Sequence, residues 1–190
     1  MNEIVTNVNE IHVKKTKRHK GFLIAIGVII LGILSLATFF LLNNRTTNLD
    51  LFTDNFKPFP DVIINRNKEP NDYLTIGMAA YNHQDYTIAT MHLEQFLGQS
   101  EISEDNKKNT SIYIAVSYLA LGNVNAAVKK FEKIKHENFV LEEVAEWYLA
   151  LTYLKKNDLE NCKKQLKAIQ NGTKHQYRLE AEQLLKKWNL

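Results

Sequence analysis

Cysteine is all but missing from this chain: Cys162 stands alone among 190 residues, so no intrachain disulfide forms, whatever the redox state of the surroundings. Proline is nearly as scarce. All three prolines, Pro58, Pro60 and Pro70, fall in one stretch, residues 43–70, and residues that precede proline favour extended backbone. Patterns that carry chemistry are missing too. The six histidines (His12, His19, His83, His92, His136 and His175) include no His-x-x-x-His pair, and no Cys-x-x-Cys occurs, so no two ligands are spaced for one metal. His92 and Glu94 lie on different faces of a helix. There is no nucleophile-elbow glycine pattern and no phosphate-cradling loop. No enzyme activity, metal or cofactor is therefore expected.

Charge is missing from one long run. Gly21–Leu42 has no ionisable side chain, and 22 residues make a helix of about 33 Å, enough to cross a bilayer core. Lys14, Lys15, Lys17, Arg18 and Lys20 precede it, whereas Asn43 to Thr53 has Arg45 alone, so the short tail is expected inside the cell and the larger part outside. Ser35-Leu36-Ala37 resembles a signal-peptidase site. Phe39–Leu42 continue the apolar run where polar sequence should follow a cleavage site, which favours an uncleaved anchor. The span holds no charged residue, so neither transport nor proton conduction is expected of it.

The basic excess belongs to the tail. Residues 1–42 carry five Lys/Arg and two Asp/Glu; residues 43–190 carry 19 of each sign. A folded part without net charge gives no footprint for nucleic acid.

What is abundant is a repeated spacing. Tyr73-x-x-Ile76-Gly77 is followed by Tyr86-x-x-Ala89-x-x-x-Leu93. Ser111-x-x-Ile114-Ala115-x-x-Tyr118 is followed by Val124-x-x-Ala127-x-x-x-Phe131. Glu146-x-x-Leu149-Ala150-x-x-Tyr153 is followed by Leu159-x-x-Cys162-x-x-x-Leu166. A small residue meets another 12 positions later each time: 77 and 89, 115 and 127, 150 and 162. Two short antiparallel helices approach closely only where side chains are small, and such hairpins must stack to bury their apolar faces. Cys162 occupies a small-residue slot, which assigns it to packing rather than reactivity. The predicted helices are Asn71–Gln84 and Asp85–Leu97, Asn109–Leu121 and Val124–Ile134, then Glu142–Lys156 and Leu159–Ile169. A polar loop over Gly98–Asn106 joins the first two pairs, and a capping helix spans His175–Trp188.

These residues resemble the tetratricopeptide repeat (TPR) family over residues 70–170. Ala80 departs from the family's aromatic, and the proline that ends its second helix is missing. The resemblance implies an all-α solenoid organised as tail 1–20, membrane anchor 21–42, connector 43–70, three repeats 71–170 and cap 171–190. The layout is similar to bacterial TPR proteins held in the inner membrane by one N-terminal helix with repeats in the periplasm. The Phe56-x-Pro58-Phe59-Pro60 segment and Arg66 look like the region before the repeats in some of them. One such family assists the secretion translocon, but no motif here assigns the chain to it.

By the family's register, the concave groove is lined by Leu74, Met78 and Tyr81, by Ile112, Val116 and Leu119, and by Trp147, Leu151 and Leu154. The stripe is apolar, so the Lys/Asn clamp for a C-terminal carboxylate is absent. Two readings stay open. The stripe is covered by the cap or by the connector, whose Leu51, Phe52, Phe56, Phe59, Val62, Ile63 and Ile64 are too apolar for water. Otherwise it binds a protein or peptide partner, with Trp147 as anchor. The functions implied are a membrane-anchored scaffold or adaptor, and alternatively a holdase at a translocation site.

Overall fold

The computed structural model describes residues 22, 26–39, 47–62, 72–136 and 141–188, and every regular element among them is helical. The chain divides into two units, Met1–Arg45 and Thr46–Leu190. In the first, residues 26–39 form helix α1. Its large apolar side chains are exposed, from 38% at Ile26 to 70% at Leu36. The Thr38 hydroxyl is satisfied inside the helix by the carbonyls of Leu34 and Ser35, both at 2.9 Å. Among the described residues no helix is long and apolar enough to cross a membrane. Residues 21, 23–25 and 40–42 of the expected span, the tail 1–20, and residues 63–71 of the connector region lie outside the described residues.

The second unit contains α2 (Asn48–Asn55), α3 (Tyr73–Asn82), α4 (Tyr86–Leu97), α5 (Glu104–Ala120), α6 (Val124–Lys135), α7 (Glu142–Lys155), α8 (Leu159–Asn171) and α9 (Arg178–Lys187). From α3 onward each helix packs on the next in the chain. Short connections impose that arrangement on antiparallel neighbours.

Three hairpins, α3–α4, α5–α6 and α7–α8, turn the same way. Gln84, Gly122 and Asn157 hold the left-handed backbone, with φ of 61°, 80° and 62°. In each turn that residue's N–H donates to the carbonyl three back, at Tyr81, Leu119 or Leu154 (2.9, 3.1 and 3.1 Å). The following N–H donates to the carbonyl five back, at Ala80, Tyr118 or Tyr153 (2.9, 2.8 and 2.9 Å). This pair of bonds is the Schellman ending of a helix. The next helix starts at once, because the carboxylates of Asp85 and Asp158 accept the N–H groups of Ile88 and Asn161 at 3.1 and 3.3 Å. Asn123 begins the middle one without such a bond.

The small residues lie where the hairpins touch. Gly77, Ala89, Ala115, Ala127, Ala150 and Cys162 are all buried. A methyl group on Gly77 would come within 2.7 Å of Leu93 Cδ2 and 3.1 Å of the Leu93 nitrogen, so α3 and α4 meet there without room for a side chain. Between successive hairpins another contact repeats. The Tyr118 hydroxyl donates to Glu94 at 2.6 Å, and Tyr153 to Glu132 at 2.9 Å. Burial first, and the carboxylate second, push both phenols up to about 12.

At the far end α9 packs on α8, burying Ala181, Leu184 and Leu185. The segment before it is fixed to α7: His175 Nε2 lies 3.0 Å from Glu146, and the Gln176 N–H donates to Glu143 at 2.9 Å. His175 Nδ1 accepts the Tyr177 N–H at 3.1 Å, which holds 175–177 in turns, so the last helix begins at Arg178 rather than at His175.

Two further boundaries differ from expectation for capping reasons. Helix α5 starts at Glu104, inside the expected polar loop. The Ser103 hydroxyl accepts the Asn106 N–H at 3.3 Å, and Glu104 and Asp105 complement the positive helix end. The connector contains a helix, α2, where none was expected. Thr47 and Asp50 close a capping box: the Thr47 hydroxyl accepts the Asp50 N–H at 3.1 Å and the Asp50 carboxylate accepts the Thr47 N–H at 2.9 Å. Those bonds lower the Asp50 pKa.

Candidate functional site

The connector's own chemistry decides where it goes. Once the capping box starts α2, Leu51 and Phe52 fall together on one side and must be buried; both are, against α7. The Asn48 amide donates to the Asn157 side chain at 2.7 Å, pinning the start of α2 to the α7–α8 turn. Lys155 Nζ stands 4.5 Å over the Phe52 ring and donates to the carbonyls of Leu119 and Ala120 at 2.8 and 3.3 Å. One ammonium thus closes the end of α5 and stacks on α2. Burial lowers its pKa.

Phe56 leaves the helix with extended backbone, and residues 56–62 run on without regular structure. Pro58 and Pro60 have no N–H to leave unpaired, so this segment presents mainly carbonyls. Three tyrosines, one from the first helix of each hairpin, donate to them. Tyr148 of α7 reaches the Lys57 carbonyl at 2.6 Å, Tyr81 of α3 the Phe59 carbonyl at 3.0 Å, and Tyr113 of α5 the Pro60 carbonyl at 3.2 Å. The Tyr113 oxygen also accepts the Val62 N–H at 2.8 Å. Asn82 donates to Asp61 at 3.0 Å.

Phe59 is the aromatic anchor of the segment. It is 6% exposed, with its ring 5.6 Å from Tyr113 and 6.5 Å from Tyr148, edge-on to the latter. Phe56 stacks on Phe52 at 5.1 Å and meets Tyr148 edge-on at 6.3 Å. Burial pushes the Tyr81 and Tyr148 phenols well above the ordinary tyrosine range, so both remain hydrogen-bond donors.

The nine residues expected to line the groove are all buried. Leu74, Met78, Tyr81, Ile112, Val116, Leu119, Trp147, Leu151 and Leu154 are each 5% exposed or less. They belong to one continuous core that also includes Leu51, Phe52 and Phe59. All nine are thus away from solvent, and residues 47–62 pack on α7 and are bonded by Tyr81, Tyr113 and Tyr148. Among the nine, Tyr81 bonds the connector backbone. Trp147 instead stacks on Tyr177, rings 5.4 Å apart and nearly parallel.

Tyr113 and Tyr148, which read the connector, were not among the nine. They lie one position after Ile112 and Trp147, and their shared 35-residue spacing was visible in the sequence.

Beside the connector lies a cleft of about 550 Å³, walled by Pro58 and Pro60, by Trp147 and Tyr148, and by Tyr177, Glu180 and Gln183. Asp54 and Lys57 line its connector side, and Lys187 spans to Asp54 at 3.3 Å. Aromatic rings and both signs of charge thus border one concavity.

Elsewhere, the Cys162 thiol is fully buried, and burial, helped by the Asp158 carboxylate, pushes its pKa up to about 12. Among the described residues no three His, Cys, Asp or Glu side chains converge as metal ligands would. No protein-family model, curated protein or solved structure matches the chain.

Proposed function

We propose that this chain is a membrane-tethered protein-interaction scaffold of the TPR type. The observation that carries the repeat reading is the threefold Schellman turn at 84, 122 and 157, in step with the small-residue pairs. Its separations match those of Gly77, Ala115 and Ala150, so each hairpin is the same unit used again. The tether reading rests on α1. A helix apolar on every side has no polar face to offer water, and it belongs in a core or in lipid. With the basic tail before it, the repeats lie outside the cytoplasm.

The partner site that suits this geometry is the cleft between the connector, α7 and α9, because the stripe residues beside it are buried in the chain's own core. An adaptor fits this arrangement better than a holdase, which would need the apolar stripe free for unfolded clients. The test is a photoreactive residue at Gln183, on the cleft, compared with one at Lys164 on α8, in membranes of the source organism. A scaffold gives one discrete adduct from position 183, lost on Lys57→Glu, and none from 164. A smear of clients from both positions would favour the holdase. Recovery of the chain in the soluble fraction would overturn the tether.

A further inference from the structure

We infer that His175 is a proton-operated latch: its neutral imidazole holds Tyr177 against Trp147, and its protonated form lets Tyr177 go. Both ring nitrogens are committed. Nδ1 accepts the Tyr177 N–H at 3.1 Å, so the neutral ring carries its hydrogen on Nε2, 3.0 Å from Glu146. Among the described residues no other histidine has both nitrogens bonded. His136, which also stands beside a carboxylate, is 74% exposed and meets Glu132 at 3.6 Å. The His175 side chain is 7% exposed, so little water is at hand to replace a lost partner.

A second proton enters at Nδ1, where it faces the Tyr177 N–H, and two donors make no hydrogen bond. Turning the ring over gives no relief, because both nitrogens then carry hydrogens. The Nε2 contact meanwhile becomes an ion pair with Glu146, a charge-assisted bond that keeps the ring on α7. The loss therefore falls on Tyr177. The neighbouring charges leave the ring where it is. From α7, Glu143 accepts the Gln176 N–H at 2.9 Å beside Glu146. From α8, the Gln170 carbonyl holds Arg178 at 3.2 Å, and a methyl group on Gly172 would come within 3.0 Å of the His175 Cβ, so the ring has little room to withdraw that way. From α9, Glu180 acts on Tyr177, and Lys174 precedes the ring in an exposed position. What the latch moves is a wall of the cleft. The Tyr177 and Trp147 rings lie 5.4 Å apart and nearly parallel, both border the cleft, and Trp147 is only 5% exposed. The consequence for a partner rests on the cleft reading above; the latch itself does not.

The test uses the full chain in detergent with Trp188→Phe, which leaves Trp147 as the sole tryptophan. From about pH 8 to about pH 5, nitrogen NMR of the imidazole follows protonation of His175 and acrylamide quenching follows Trp147. The two curves should coincide, with quenching rising at least about twofold as the stacked phenol stops shielding the indole. His175→Asn, whose side-chain oxygen accepts the same N–H and takes up no proton, should keep the low value throughout. His175→Ala should give the high value at every pH. Glu146→Gln should keep the rise, which separates it from titration of that carboxylate. A protonated His175 with Trp147 quenching unchanged overturns the latch, and so does a rise that survives His175→Asn. Photoadducts from position 183 tell the two readings apart. A yield that falls along the same curve ties the latch to the partner, and a constant yield while quenching rises overturns that tie. No adduct at any pH overturns the cleft reading and leaves the latch supported by Trp147.

Discussion

The hydroxyl of Tyr148 and the carbonyl of Lys57 meet at 2.6 Å across 91 residues of sequence. That bond, with its counterparts from Tyr81 and Tyr113, fastens an extended segment across all three hairpins. Replacing Tyr148 by Phe keeps the ring beside Phe59 and Phe131 and removes only the donor. The expected loss is about 1 kcal/mol of unfolding free energy by denaturant titration. Phe59→Ala removes the buried anchor and should cost about 3 kcal/mol. If neither changes stability, the segment is not held as described.

Gly77 and Leu93 make the tightest hairpin contact. An alanine at 77 gains up to about 1 kcal/mol of helix propensity but forces its methyl against a buried leucine, costing about 1–3 kcal/mol. We expect a net loss of about 1 kcal/mol in thermal or chemical unfolding. In a Leu93→Ala background the methyl has room, so Gly77→Ala should become neutral or stabilising, and a double-mutant cycle reads the coupling.

The three left-handed turn residues give opposite signs for related changes. Gln84 pays a strain that glycine does not, so Gln84→Gly should stabilise by a few tenths to about 1 kcal/mol, while Gly122→Ala should destabilise by about 1 kcal/mol. Both are read from denaturation midpoints at unchanged slope.

Alkaline pH should unfold the array for a stated reason. Tyr118 and Tyr153 have folded pKa values of about 12 against an ordinary 10.0, and Cys162 about 12 against 9.0. Groups raised on folding stabilise the folded state fully below their unfolded pKa. That contribution is lost as pH rises through the folded value. Stability should therefore hold up to about pH 9 and fall from there to about pH 12, with tyrosinate absorbance rising alongside the loss of helicity. Tyrosinate appearing near pH 10 with full helicity retained would contradict it. Cys162 should stay unreactive to thiol reagents until the chain unfolds.

Much of this architecture is legible in the sequence, and what is not has identifiable causes. Residue size at 77/89, 115/127 and 150/162 marks the helix contacts, because close approach tolerates only small side chains. The apolar character of Leu51, Phe52 and Phe59 signals that the connector needs cover. Helix α2 was missed because its start depends on a reciprocal Thr47–Asp50 hydrogen-bond pair inside a stretch read by its prolines. Tyr113 and Tyr148 were missed because a one-residue offset places them, rather than Ile112 and Trp147, toward the crossing segment. Their role exists only once carbonyls 53 and 91 residues away arrive.

The central claim is that the chain's own connector crosses the first helices of the three hairpins, held by Tyr81, Tyr113 and Tyr148. A photoreactive phenylalanine analogue at position 56, beside the Tyr148 ring at 6.3 Å, tests it most directly in the detergent-solubilised full chain. Mass spectrometry should find the crosslink within one chain, joining residue 56 to the α7 peptide that contains Tyr148, at every protein concentration. A crosslink formed only between chains, or an α7 peptide left unmodified, would contradict the account.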